Sequence, residues 1–215
     1  MNGIFGWIGP MMTKALTETG KIMAEPKVVT GKRVYLNIGH GQKPDRFDPG
    51  AVHASSGKTE FDLNTIAAAS CKAVLESAGH EVTVGGNEAG NNYGGGKRAA
   101  GHDVCVSLHH NSAGSSAQGS ECFFHRRKVT DNDRHLAAKI AWALSNELGI
   151  RNRGPKEAGL SVLSGAKDAG CPVAVLAELY FMQDQTPANP PASEFEDWSR
   201  RGGEAIGRAI NEFLA

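Results

Sequence analysis

Residues 34 to 60, V-Y-L-N-I-G-H-G-Q-K-P-D-R-F-D-P-G-A-V-H-A-S-S-G-K-T-E, set the tightest limit on what this chain can become. Val34, Leu36 and Ile38 alternate as in a strand, and the pattern breaks at Gly39-His40-Gly41 into polar loop. A histidine is therefore held at the exit of a strand. After a stretch rich in Gly, Pro and Asp, helical spacing begins: Leu63, Ile66, Ala67, Ser70, Val74 and Ala78 recur on one face. Thr59 is the N-cap of that helix and Glu60 lies in its first turn. Two later apolar runs end in the same manner. Val104, Val106 and Leu108 lead into His109-His110-Asn111, and Val173, Val175 and Leu176 lead into Glu178.

In open α/β sheets ligands bind beyond the carboxyl ends of the strands, where turns and side chains converge. Three strands here each carry an ionisable residue to that edge, and a helix start brings a fourth. Two histidines and one carboxylate form a ligand set used by catalytic zinc, which keeps a fourth position open. Each residue also has a plain structural reading. His40 suits a glycine-flanked turn, and Glu60 is stabilised by the helix dipole whether or not it binds anything. His109 and His110 point to opposite faces of their strand, so one of them faces away from any site. Glu178 differs, because an acid on an apolar strand is costly to bury unless it is paired or functional.

G-H-G at 39–41, D-P-G-A at 48–51, Glu60, S-L-H-H-N at 107–111, R-N-R-G-P-K at 151–156 and V-L-A-E-L-Y-F at 175–181 resemble, in order, the motifs of zinc-dependent N-acetylmuramoyl-L-alanine amidases of the amidase-3 type. The similarity runs from about residue 32 to the C-terminus. It implies that His40, Glu60 and His109 bind Zn2+, that Glu178 is the catalytic glutamate, and that His110 is not a ligand. It also implies the substrate, the amide between muramic acid and the first alanine of the peptidoglycan stem. In that chemistry zinc activates a water and polarises the amide carbonyl, while Glu178 takes the proton and later donates it to the departing nitrogen. The family commonly reads E-x-G-F-x-x-N around the glutamate, whereas Tyr180 and Asp184 stand here, a difference that bears on the shape of the substrate groove. Asp48, His53 and Arg153 are candidates for substrate contact.

The remaining pattern gives an α/β fold: a single domain with a mostly parallel twisted sheet flanked by helices, preceded by an N-terminal helical arm. Strands are expected near 33–38, 80–84, 103–108 and 119–124, and helices near 60–78 and 133–148, the last closed by Gly149. A glycine-rich loop is expected over 85–96, a turn at Arg153-Gly154 and a short strand over 160–164. A C-terminal helix carries Phe195, Trp198, Ile206, Ile210 and Phe213, with Gly202-Gly203 as a weak point. Gly94-Gly95-Gly96-Lys97 is not a phosphate loop, since Asn91 and Arg98 occupy positions where that motif needs Gly and Ser or Thr.

Lys plus Arg and Asp plus Glu are 23 each, so no charge excess directs the chain to nucleic acid. Cys71, Cys105, Cys122 and Cys171 sit in apolar segments and read as reduced core residues. Domain organisation is expected as an arm over 1–31 and a catalytic domain over 32–215. The arm carries Ile4, Phe5, Trp7, Ile8, Met11 and Met12; it is too short to span a bilayer and is a poor signal peptide. It packs on the domain or on a second copy, or it anchors to a membrane or a virion protein. These features fit a phage or prophage lysin made in the host cytoplasm and acting at the wall, with a secreted autolysin or a spore-cell lytic enzyme as the alternative. A zinc peptidase cutting stem peptides and a non-catalytic wall-docking module are the rival functions.

Overall fold

Alternation along the strands sorts the interior into two layers. The structure, a computed structural model, describes residues 31–87, 91–113, 117–183 and 189–215, so the expected arm lies outside it apart from Gly31. In chain order the strands are β1 (Arg33–Ile38), β2 (Gly41–Gln42), β3 (Phe47–Asp48), β4 (Glu81–Gly85), β5 (Val104–Asn111), β6 (Ser120–His125), β7 (Asn152–Ala158) and β8 (Val173–Phe181). The helices are α1 (Glu60–Ser77), α2 (Asn92–Lys97), α3 (Asp131–Leu148), α4 (Ser161–Asp168) and α5 (Phe195–Leu214). Six strands make the main sheet in the order β4-β1-β5-β8-β6-β7, and β2 pairs with β3 in a separate hairpin. The first four run parallel, β6 is antiparallel to β8, and β7 is parallel to β6. The expected α/β domain with a mostly parallel sheet is what forms.

One face of the sheet is fully roofed. Val34, Leu36, Val104, Val106, Leu108, Val175, Ala177 and Leu179 join Leu63, Leu75, Ile140, Leu144, Ile206 and Ile210 in a single buried cluster under α1, α3 and α5. The other face holds a smaller cluster in which Tyr35, Cys105, Ala174 and Leu176 meet Val162, Leu163 and Ala166 of α4. Among the described residues, only the short helices α2 and α4 cover that second face. The strip of sheet they leave uncovered carries the site. All four cysteines are buried and unpaired.

Helix ends follow their local chemistry. Thr59 caps α1 by accepting from the Asp62 N–H at 3.1 Å, and Thr130 with Asp133 forms a capping box on α3. Gly149 ends α3 in the left-handed conformation, φ 67°.

Five sequence expectations change. Part of the glycine-rich segment is helical, since Asn92–Lys97 form α2, and the glycines there serve packing: a Cβ on Gly96 would lie 2.0 Å from the Val162 carbonyl oxygen. Ser161–Asp168 form a helix in place of the short strand, and the turn expected at Arg153-Gly154 is inside β7. Strands β5 and β8 continue past His109 and Glu178, because Tyr180 is buried in the roofed core and β6 pairs alongside. Gly202-Gly203 does not interrupt α5: a Cβ on Gly203 would lie 2.2 Å from the Ala67 carbonyl oxygen, so the glycines let α5 sit directly on α1.

Gly203→Ala sets two effects of opposite sign against each other. Helix propensity would favour Ala by about 0.5–1 kcal/mol, whereas overpacking a closed contact costs about 1–3 kcal/mol. We expect net destabilisation, seen as a lower midpoint in denaturant unfolding. A raised midpoint would mean that α1 and α5 have room between them.

Candidate metal centre and the cleft beside it

The turn after β1 is shaped to aim one ring. His40 has φ 65°, a conformation rare outside glycine, and its carbonyl accepts from Asn87 Nδ2 at 3.1 Å while the Gly39 carbonyl accepts from Asn64 Nδ2 at 3.1 Å. The hairpin of β2 and β3 folds Asp48 back beneath it, with Oδ2 3.1 Å from His40 Nδ1. Asp48 also accepts from Lys43 Nζ at 2.6 Å and from the Gly50 N–H at 3.1 Å. Burial would raise the Asp48 pKa, but Lys43, His40 and the Gly50 N–H outweigh it and hold the carboxyl well below its usual range.

Glu60 stands at the centre. One oxygen lies 3.1 Å from His40 Nε2 and accepts from the Ala51 N–H at 3.1 Å; the other lies 2.9 Å from His109 Nδ1 and accepts from the His110 N–H at 3.2 Å. Burial opposes ionisation of Glu60, yet His109 and His40 hold its pKa far below the normal value. Burial likewise disfavours the charged form of His40, but Glu60 and Asp48 together raise its pKa. Among the described residues, His40, Glu60 and His109 are the group able to hold a metal ion, with one ligand atom from each within 4.8 Å of the others. Glycine makes this approach feasible. A Cβ on Gly39 would fall 2.3 Å from the His109 ring, and one on Gly50 would fall 2.7 Å from Glu60 Oε2.

Strand register extends the site sideways. His109 of β5 pairs with Glu178 of β8, and Glu178 pairs with Glu121 of β6, so three ionisable side chains lie in a row on the less covered face. They line a cleft of about 340 Å³ together with Asn92, Asn111, Phe123 and Val162. Glu178 is half-buried as a residue, and its Oε2 is sealed from solvent and has no hydrogen-bond partner. Burial, followed by the negative charges of Glu60 and Glu121, pushes its pKa well above the ordinary carboxyl range. Glu121 has the opposite outcome. Burial would raise its pKa, but Arg153 and Lys156 lower it overall.

A family model described as N-acetylmuramoyl-L-alanine amidase matches residues 34–212. The chain belongs to the N-acetylmuramoyl-L-alanine amidase family. It is 30% identical over 201 residues to an uncharacterised protein of Bacillus subtilis strain 168, YqiI, covering 88% of this chain and 87% of that one. Its fold is similar to that of an N-acetylmuramoyl-L-alanine amidase from Clostridium difficile 630, with TM-score 0.70, 24% identity, and 86% and 97% of the two chains covered. The catalytic domain of the amidase CwlV from Bacillus (Paenibacillus) polymyxa var. colistinus matches with TM-score 0.68 and 25% identity, covering 85% of this chain and 98% of that one. This amidase is thus a hydrolase of the peptidoglycan amide class.

Of the residues singled out in the sequence, the amidase fold brings His40, Glu60, His109 and Glu178 together and puts Asp48 against His40. His110 points into the roofed core, where Nδ1 lies 2.8 Å from Asn64 Oδ1 and Nε2 lies 3.0 Å from Ser199 Oγ. Burial pushes its pKa down to about 3, so the ring is neutral. His53 is also buried, its Nδ1 2.8 Å from Ser56 Oγ. Glu121 escaped notice in the sequence. Its signal was the one that marked Glu178, an acid alternating with apolar residues in a strand.

His110→Ala would strip Asn64 and Ser199 of buried partners, a loss of about 1–3 kcal/mol. We expect a lower unfolding midpoint with zinc uptake per folded chain retained, whereas His109→Ala should lose uptake. Zinc lost from folded His110→Ala would exchange the two histidines.

Proposed function

We propose that this chain is a zinc-dependent N-acetylmuramoyl-L-alanine amidase in which His40, Glu60 and His109 hold the metal and Glu178 transfers the proton. The carrying observation is the pairing of a three-ligand cluster with an unpartnered carboxyl on the adjacent strand. The donor set fits the ion: two imidazoles and one carboxylate match hydrolytic zinc sites, and His109 of that set lines the cleft. Bound there, zinc supplies Lewis acidity that polarises an amide carbonyl and acidifies water.

The chain's own groups do the rest. Asp48 fixes the His40 tautomer by accepting from Nδ1–H, leaving the Nε2 lone pair directed inward. The Ala51 and His110 N–H groups each donate to one Glu60 oxygen and hold the carboxylate between the rings. Glu178 has a raised proton affinity, suited to taking a proton from the attacking water and handing it to the departing alanine nitrogen. The cleft walls of Phe123, Leu160, Val162 and Leu176 limit water around the reacting amide. All of this chemistry lies after residue 32, so the segment 1–31 is assigned to placement on a membrane, a virion protein or a second copy. Among the described residues no helix is long and apolar enough to cross a membrane.

Glu178→Gln tests the division of roles between the glutamates. It keeps size and removes the basic oxygen, so we expect zinc content near wild type and kcat lower by about a hundredfold to ten-thousandfold. Glu60→Gln should instead lose zinc. Metal analysis and mass spectrometry of fragments from digested wall read both. Zinc lost from Glu178→Gln but retained by Glu60→Gln would reverse the roles, and fragments cut within the stem would replace the amidase reading with a peptidase.

A further inference from the structure

Beyond Glu121 the row of site residues ends in an excess of positive charge. Glu121 Oε2 accepts from Arg153 Nε at 2.5 Å and is ion-paired with Lys156 Nζ, so two cations share one carboxylate. Glu121 Oε1 already accepts from Asn111 Nδ2 at 2.9 Å. One cation would suffice to neutralise a buried acid, so the second leaves one formal positive charge over. The acid is sealed, with 5% side-chain exposure, whereas Arg153 keeps 27% and Lys156 37%. The surplus charge therefore faces solvent at the end of the cleft.

Placement and rigidity make this pair more than a surface ion pair. Lys156 is the register partner of Phe123, a cleft-lining residue, and partners across a sheet project from the same face. Arg153 lies with its guanidinium carbon 5.1 Å from the ring centroid of buried Phe181 while Nε is held by Glu121, so its fork is fixed before any ligand arrives. The sheet thus presents, in order, His109, Glu178, Glu121 and then the cations on β7.

We propose that Arg153 and Lys156 form a carboxylate-binding subsite that recognises an acidic group on the peptide stem attached to the departing nitrogen. This rests on the amidase reading above. In peptidoglycan the glycan's amides and hydroxyls are neutral and the ionised acids belong to the stem, so cations at one end of the cleft distinguish its peptide side. Strand spacing sets the distance. From β8 to β7 is two strand intervals, about 10 Å, and an extended peptide covers about 3.3–3.6 Å per residue. Long side chains reach back along that path, so the carboxylate recognised is on the second or third residue of the stem.

The test uses a soluble muramoyl tripeptide with its stem carboxyls free and the same compound with them converted to carboxamides. Wild-type protein loaded with zinc should favour the acid form by about tenfold in kcat/KM, the scale of one charge-assisted hydrogen bond. The difference should sit in KM and shrink as salt is raised. Lys156→Gln, at the more exposed position, should bring the acid-to-amide ratio towards one. Arg153→Gln should do the same if it folds, with Arg153→Lys restoring part of the ratio. Equal cleavage of both forms by wild type, or an undiminished preference in Lys156→Gln, would overturn the subsite alone. No cleavage of either form or of whole wall would overturn the amidase reading and the subsite with it.

Discussion

The burial of the Glu60 carboxylate is the condition on which the rest of this site depends. Taking such a charge out of water costs several kcal/mol after relaxation. It is offset only when both oxygens are satisfied. Here the partners come from three separate parts of the chain: His40 from the turn after β1, the Ala51 N–H from the loop after β3, and His109 with the His110 N–H from β5. The contacts to His109 and the His110 N–H require α1 to be docked on the sheet with Glu60 at its edge.

Docking of that kind needs close approach, and glycine provides it at each critical contact. Gly203 lets α5 meet α1, Gly96 and Gly165 let α2 and α4 meet, and Gly39 and Gly50 let the loop close on His109 and Glu60. The helices on the cleft face are short, which leaves room for the cleft lined by His109, Glu178 and Glu121. The asymmetry of the two faces thus separates a stabilising side from a working side. Asp133 joins them across the sheet: it caps α3, pairs with Lys167 of α4 and accepts from the Ala174 N–H at the start of β8, fixing the strand that carries Glu178.

What the sequence made legible was local. The bounds of β1, α1 and α3 follow from alternation, helical spacing, Thr59 and Gly149, all read within a few residues. The gathering of His40, Glu60, His109 and Glu178 was legible because each sits where an element begins or meets the carboxyl edge of the sheet. What stayed hidden depends on partners distant in sequence. Nothing near Asn92–Lys97 reveals that its glycines serve contact with α4, so the segment reads as loop. Leu160 to Ser164 reads as strand until α4 is seen packing its Val162 and Leu163 on the sheet. Glu121 acquires meaning only through the β6–β8 register and through Arg153 and Lys156, some thirty residues on. Pleating alone could say that His109 and His110 diverge; which one faces the cleft depends on which side α1 and α5 cover.

Two glutamates of the same chemistry end up with opposite character, and the reason is geometric. Glu60 is surrounded by the Ala51 and His110 N–H donors and the His40 and His109 rings and stays ionised despite burial. Glu178, on the adjoining strands, has a sealed oxygen without a donor and negative neighbours in Glu60 and Glu121, so its proton is held more tightly. Environments that drive two like groups apart are the usual way one site obtains both a permanently charged ligand and a proton carrier. Glu121 belongs to this arrangement as well. Its charge, kept by Arg153 and Lys156, adds to the field that raises the proton affinity of Glu178, so the cations proposed to bind the stem also maintain the negative neighbour of the proposed base. Removing both cations would then weaken recognition and alter the electrostatics of proton transfer together, because Glu121 links the two.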